Sequence, residues 1–152
     1  MNILLLKPPY RDVYGRLKLV SGNYFLLGLG YIASYLRQYG HDVYILDPEA
    51  QGLSYSDCIN KIKSLSPGLI GISATTPDFA NALKIAEIVR KNSKAFLLLG
   101  GIHGSSLPEH ILSRYPHLFD AVCIGEGEEA SLEVCGFLEG KCDKQSRTIK
   151  YP

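Results

Sequence analysis

The chain has 152 residues, 46% of them hydrophobic, with 16 Lys plus Arg against 15 Asp plus Glu and a formal net charge of +1. That length sustains one domain with a sizeable core, and the apolar content excludes intrinsic disorder. The charge balance gives no support to a nucleic-acid surface or a polybasic membrane patch, and every apolar run falls far short of a membrane span.

Residues 2–6 read as a short buried strand, ended by Lys7-Pro8-Pro9 because consecutive prolines cannot continue a central strand. The stretch from Tyr10 to Leu27 is too long for an ordinary connection and carries Tyr10, Tyr14, Tyr24 and Phe25; it is a candidate loop for covering a large flat ligand. Leu29, Ile32, Ala33 and Leu36 recur at helical spacing and predict a helix over Leu27–Tyr39, stopped by Gly40. A second strand, Asp42–Leu46, ends at Asp47-Pro48. Ser54 or Ser56 then caps a helix with Tyr55, Ile59, Ile62 and Leu65 on its apolar face, and Pro67-Gly68 breaks it.

The third strand is Leu69–Ser73. Thr76-Pro77-Asp78 predicts a helix cap with proline in the first turn, and the helix runs to about Lys91 through Phe79, Leu83, Ala86 and Val89. Ala95–Leu99 forms a fourth strand that runs into Gly100-Gly101, read as a bare backbone loop. Pro108 opens a short helix that ends near Tyr115-Pro116. Asp120–Ile124 is the fifth strand, followed by Gly125-Glu126-Gly127 and a helix over Glu128–Leu138. Residues 139–152 are polar and aperiodic, and read as a linker.

Strands alternating with helices predict an α/β three-layer sandwich of Rossmann-like, flavodoxin-like type. Its five-stranded parallel sheet has the expected order 2-1-3-4-5. The expected domain is 1–138, with 139–152 leading onward. No basic leader or small-residue cleavage pattern precedes Ile3-Leu4-Leu5-Leu6, which points to the cytoplasm. The cysteines, at 58, 123, 135 and 142, include no C-x-x-C pair, so neither a zinc site nor a redox dithiol is indicated. Cys58 and Cys123 read as small core residues.

The chemistry concentrates where the strands end. Ser73-Ala74-Thr75-Thr76, Gly100-Gly101 and Gly125-Glu126-Gly127 put small side chains and hydroxyls at three neighbouring strand ends, where ligands of parallel sheets bind. His103 follows the double glycine and either contacts a ligand or bonds the backbone. Glu126 either holds a polar ligand group or accepts from amides of the helix that follows. His41, His110 and His117 read as solvent-facing. Gly28-Leu29-Gly30-Tyr31-Ile32-Ala33 fits G-x-G-x-x-A, with Asp47 near the place of a ribose-binding acid. That fingerprint should follow the first strand immediately, and here residues 7–27 intervene; the two glycines read instead as letting the helix pack close to the sheet. No acidic pair of a receiver domain, no P-loop and no hydrolase triad is present.

The chain resembles the cobalamin (vitamin B12)-binding domain at the N-terminus of radical S-adenosylmethionine enzymes. The matching pieces are Leu4-Leu5-Leu6-Lys7-Pro8-Pro9, Leu27–Arg37, Gly40-His41-Asp42-Val43, Gly71-Ile72-Ser73, Gly100-Gly101-Ile102-His103 with Pro108-Glu109, and Asp120 with Gly125-Glu126-Gly127-Glu128. Together they cover roughly residues 1–140, and G-G-x-H-x(4)-P-E followed by G-E-G-E is the specific part. The resemblance implies a corrin lying across the strand ends, partly under the loop after the first strand. The nucleotide tail would thread between sheet and helices, past Ser73, Thr75, Gly100, Gly101, Gly125 and Gly127. Pro9, Tyr10, Thr76, His103 and Glu126 join these as cofactor-contacting candidates.

Two departures from related patterns refine the expectation. The D-x-H-x-x-G motif of methyl-transfer and mutase cobalamin domains is missing after the first strand. Binding is therefore expected base-off and without a histidine ligand, with Tyr10 to Tyr14 available to fill the lower face. The C-x(3)-C-x(2)-C motif is absent too, so S-adenosylmethionine and a 4Fe-4S cluster belong to a parent methyltransferase or cyclase whose radical domain is the expected partner. This domain alone carries no catalytic residue and no protein metal ligand. The alternatives are a degenerate domain serving as a substrate-binding or docking module and, less favoured, an NAD-binding domain. The expected Gly101→Leu phenotype is a blocked tail channel in an intact fold.

Overall fold

A computed structural model describes residues 1–10, 26–143 and 146–151. The elements are β1 (Asn2–Leu6), α1 (Leu27–Gln38), β2 (Asp42–Leu46), α2 (Tyr55–Leu65), β3 (Leu69–Ser73), α3 (Phe79–Asn92), β4 (Phe96–Gly100), α4 (Gly101–Ser106), α5 (Pro108–Arg114), β5 (Ala121–Gly125), α6 (Gly127–Leu138) and β6 (Thr148–Tyr151). The strands form one sheet in the order β2-β1-β3-β4-β5-β6, and every adjacent pair is parallel.

The expected α/β sandwich and the order of its first five strands are present. The count is corrected to six, because Thr148–Tyr151 adds an edge strand inside the stretch read as aperiodic. Tertiary anchors hold that strand. Arg147 donates through Nε to the Asp120 carbonyl at 3.2 Å and through Nη2 to the carbonyls of Pro116 and Phe119. Tyr151 Oη donates to Glu133 Oε2 of α6 at 2.8 Å.

Both faces of the sheet are covered, which is why the strands are continuous apolar runs rather than alternating ones. Leu4, Leu6, Ile70, Ile72, Leu97, Leu99 and Val122 pack against α2, α3 and α5. Ile3, Leu5, Leu69, Leu98, Ala121 and Cys123 face the other way, toward Leu29, Ala33 and Leu36 of α1 and Ala130, Val134 and Cys135 of α6. Asp120, just before β5, ties strand to helix: its Oδ2 accepts from Leu97 N at 2.7 Å and from Arg90 Nη2 at 2.6 Å.

Helix ends follow the local rules, with two corrections. Ser54 is the cap of α2; its Oγ accepts from Asp57 N and its N–H donates to Asp57 Oδ2. Gly40 follows α1 with a φ of +80°, the left-handed stop the sequence predicts. The first correction is that α3 starts at Phe79 after Asp78, not in a turn capped by Thr76. The second is His41, which is buried rather than solvent-facing; its Nδ1 lies 3.8 Å from Glu139 Oε1. Burial holds its pKa below the ordinary imidazole value, against the pull of Glu139. No helix among the described residues is long and apolar enough to cross a membrane.

Candidate functional site

The C-terminal edge of the sheet is assembled strand by strand. Past β1, Lys7 N donates to Leu46 O at 3.0 Å, which extends the pairing by one residue. The Pro9 carbonyl accepts from Asn81 Nδ2 of α3 at 2.8 Å, and Tyr10 N donates to Glu49 Oε2 at 3.1 Å. Lys7 Nζ sits 3.9 Å from the centre of the buried Tyr10 ring, a cation–π contact. The chain is thus firmly held as it enters the long aromatic segment. Tyr14, Tyr24 and Phe25 lie outside the described residues.

Past β3, Thr75 N donates to Asp78 Oδ1 at 2.7 Å. Asp78 is buried, and burial raises its carboxyl above the ordinary aspartate range despite the Thr75 hydrogen bonds and the nearby Lys7 charge.

Gly100 and Gly101 do different jobs. Gly100 ends β4 in extended backbone, φ −128° and ψ −168°, and a Cβ there would meet only the Cβ of Cys123, at 4.0 Å. Gly101 has a φ of +86°, and a Cβ there would stand 2.5 Å from Ala74 O and 2.8 Å from Ala74 N. Gly101 is glycine because the backbone just past β3, at Ala74, passes against it. The expectation that Gly101→Leu leaves the fold intact is therefore overturned. The expected bare loop is corrected as well: Gly101 begins the short helix α4, tied back by His103 N donating to Ala74 O at 3.2 Å.

Two clefts open on this edge. The first, of about 230 Å³, lies between α1 and α6 above β3, β4 and β5; Gly71, Ser73, Gly100, Gly101, Cys123, Gly125, Glu126 and Gly127 are among the residues that line it. The second, of about 420 Å³, lies over the ends of β1 and β3 and is lined by residues that include Lys7, Tyr10, Thr75, Pro77 and Asp78. Gly28, Leu29 and Ser73 border both, so the two clefts adjoin around Ser73. The floor of the first is low because β3 carries Gly71 beside Leu5 and Leu98 in the register, with Cys123 and Gly100 one level higher.

Of the predicted site residues, Ser73, Gly100, Gly101, Gly125, Glu126 and Gly127 border the first cleft, Tyr10 and Thr75 the second. Gly127 is also a contact point between helices, since a Cβ there would collide with Ile32 Cδ1 of α1. Glu126 precedes α6 without a side-chain cap bond, which leaves its carboxylate to the cleft mouth. Pro9, Thr76 and His103 line neither cleft. His103 Nδ1 and Thr76 Oγ1 are 3.2 Å apart, and the His103 ring packs on Phe79 at 4.0 Å, within the layer of α3. Burial lowers the His103 pKa.

Gly28 and Gly30 do not bring α1 close to the sheet, because a Cβ at either would meet nothing within 4 Å. Asp47 Oδ1 accepts from Ala50 N at 3.1 Å within its own turn. One cleft residue escapes the sequence reading altogether. Ser131 of α6 is buried and lines the first cleft. Its only signal in the sequence is a hydroxyl on the apolar face set by Ala130, Val134 and Cys135.

A parallel sheet whose C-terminal edge carries adjoining clefts, floored by glycine and small side chains, has the architecture on which open α/β domains bind ligands. The chain belongs to the B12-binding domain family, whose model matches residues 17–135. Cobalamin is the cofactor of that family.

Among similar proteins, an uncharacterized methyltransferase of Pyrococcus horikoshii is 39% identical over 129 residues, covering 84% of this chain and 27% of the relative. The anaerobic magnesium-protoporphyrin IX monomethyl ester cyclase of Rubrivivax gelatinosus is 31% identical over 136 residues, covering 88% and 24%. The fold matches that of the radical S-adenosylmethionine methyltransferase TsrM from Kitasatospora setae, solved with cobalamin and a 4Fe-4S cluster bound. The TM-score is 0.76 and the identity 19%, over 93% of this chain and 25% of that one. The chain thus spans about a quarter of the length of the curated relatives it matches.

Proposed function

We propose that this chain is the cobalamin-carrying domain of a radical S-adenosylmethionine methyltransferase or cyclase. The observation that carries the reading is the pair of adjoining clefts over Ser73, Gly100 and Gly125 in a domain of the B12-binding family. The residues fit the cofactor on their own chemistry. The open position at Gly100 is a cradle that a side chain would fill, and Ser73 and Ser131 bring small hydroxyl side chains to the lining of the same cleft.

On this reading the corrin lies over the wider cleft beside Tyr10, Thr75 and Asp78, and the nucleotide tail enters the narrower one between α1 and α6. When bound, cobalamin supplies a cobalt centre that carries a methyl group or assists a cyclisation. Binding is base-off without protein imidazole. The histidines are at 41, 103, 110 and 117, none of them in the segment after β1, and His103 is engaged with Thr76 and Phe79. Radical generation belongs to the rest of a parent protein. The unpaired cysteines suit a reducing cytoplasm.

The test is reconstitution with hydroxocobalamin, desalting and a visible spectrum. Retained corrin absorbance is expected, and its loss on the column would sink the reading. Reduction to Co(II) and electron paramagnetic resonance then addresses the axial ligand, where nitrogen hyperfine splitting would refute base-off binding without histidine.

A further inference from the structure

α1 and α6 both start beside the first cleft and pack on each other. Each has 12 residues, a length of about 18 Å, and ends toward the opposite edge of the sheet. The two helices end alike. After α1, Gly40 has a φ of +80° and His41 N donates to Leu36 O at 3.3 Å; after α6, Gly140 has a φ of +71° and Lys141 N donates to Gly136 O at 2.8 Å. Both are Schellman turns, in which the residue after the glycine frequently buries an apolar side chain. α1 has a histidine there instead, and it is 7% exposed.

His41 Nδ1 is buried with no hydrogen-bond partner among the described residues. The nearest carboxylate oxygen given for it is Glu139 Oε1, 3.8 Å away in the turn that ends α6. Glu139 is already engaged: Lys141 Nζ holds Oε2 at 2.7 Å, and the Met1 amino group lies 4.0 Å from Oε1. Of the other groups around the ring, Asp42 of β2 is exposed, Arg37 of α1 is committed to the Val43 carbonyl, and the Cys135 thiol of α6, pushed up to about 12 by burial, stays neutral. A neutral imidazole fits this joint as a packed ring. A charged one would be a third cation on one carboxylate, in a place shut off from water. Burial, the Met1 amine and Lys141 together outweigh Glu139 and Asp42 and hold the imidazole below its ordinary pKa of 6.5.

We propose that His41 is an acid-opened latch between the far ends of α1 and α6: neutral, it joins them; protonated, it leaves its site, the helix ends part, and the grip on a ligand in the first cleft loosens. The last step rests on the cobalamin reading above. The direction follows from linkage. An imidazole that resists charging in the closed joint takes its proton in the open one, so opening is favoured as pH falls below about 6.5.

The ligand-free 152-residue chain tests the latch. Between pH 7.5 and 5.5 the amides of His41 and Lys141, which close the two turns, should lose hydrogen-exchange protection after correction for intrinsic exchange, by up to about tenfold per pH unit for one proton. His41→Leu restores the usual apolar side chain and should hold protection level. Level protection in wild type overturns the proposal, as does an equal loss in the variant. If His41→Leu does not fold, wild type still decides: its His41 ring protons, followed by NMR, should titrate below 6.5, and titration at or above that value overturns the latch. Loaded with hydroxocobalamin, wild type should release the corrin faster as pH falls and His41→Leu should not; equal pH dependence of release in the two overturns the link to the cleft. If neither protein binds cobalamin, the cofactor reading falls, and the exchange result alone upholds or overturns the latch.

Discussion

Replacing Gly100 with leucine places a side chain where the cleft is meant to stay open. The extended backbone at this position, φ −128° and ψ −168°, accepts any L residue. The only atom a Cβ would meet is that of Cys123, at 4.0 Å, an ordinary van der Waals contact. The protein should therefore tolerate Gly100→Leu, and removal of a strand glycine contributes about 0.5–1 kcal/mol in its favour. The ligand would not tolerate it. Four extra carbons in a cleft of about 230 Å³ overpack the bound state, and overpacking costs about 1–3 kcal/mol. Cobalamin affinity should fall about 5- to 150-fold while the melting temperature stays level or rises. Absorbance titration and a thermal melt on the same preparation check both halves. Wild-type affinity in a folded Gly100→Leu protein would show that no part of the ligand runs over β4.

At the neighbouring position the same experiment should reverse. Gly101→Ala forces a Cβ to within 2.5 Å of Ala74 O at a φ of +86°, and left-handed strain of this kind costs about 1–3 kcal/mol before the clash is counted. A drop in melting temperature of at least about 5 °C is expected for a chain of this size. Ser54→Ala removes the capping box of α2, worth about 1 kcal/mol, and should lower the melting temperature by about 2–4 °C with corrin binding untouched. Asp78 has a carboxyl raised by burial, so the folded state holds its proton to higher pH than the unfolded state does. Stability should therefore decline as pH rises from the ordinary aspartate range through the raised value. Urea unfolding between pH 4 and 7 should show that slope in wild type and a shallower one in Asp78→Asn, whose amide oxygen still accepts from Thr75.

The sheet was legible because β1, β3, β4 and β5 are buried on both faces and appear as uninterrupted apolar runs between glycine and proline breaks. β6 was not. Its four residues bury only Ile149, and its anchors, Arg147 on three carbonyls and Tyr151 on Glu133, are tertiary contacts with no local pattern. Gly101-Ile102-His103-Gly104-Ser105-Ser106 hid a helix because glycine and serine are poor helix formers and the segment has no apolar period. The small residues at Ser73, Gly100 and Gly125 marked the edge where the clefts lie. What the pattern could not separate was a glycine kept for open space, Gly100, from one kept for backbone clearance, Gly101. Ser131 carries no strand-end signal, because it is a hydroxyl set one helical turn inside α6.

The contrast between floor and roof of the first cleft bears on residence time. The floor is stitched by backbone bonds, Ala74 N to Gly100 O and His103 N to Ala74 O, with Gly101 wedged against Ala74. The roof depends on side-chain packing of α1 on α6, where Ile32 lies over Gly127. A ligand lodged beneath those helices escapes by parting them, not by deforming the sheet. Trimming Ile32 should therefore quicken capture and release together, so that exchange kinetics change far more than affinity does.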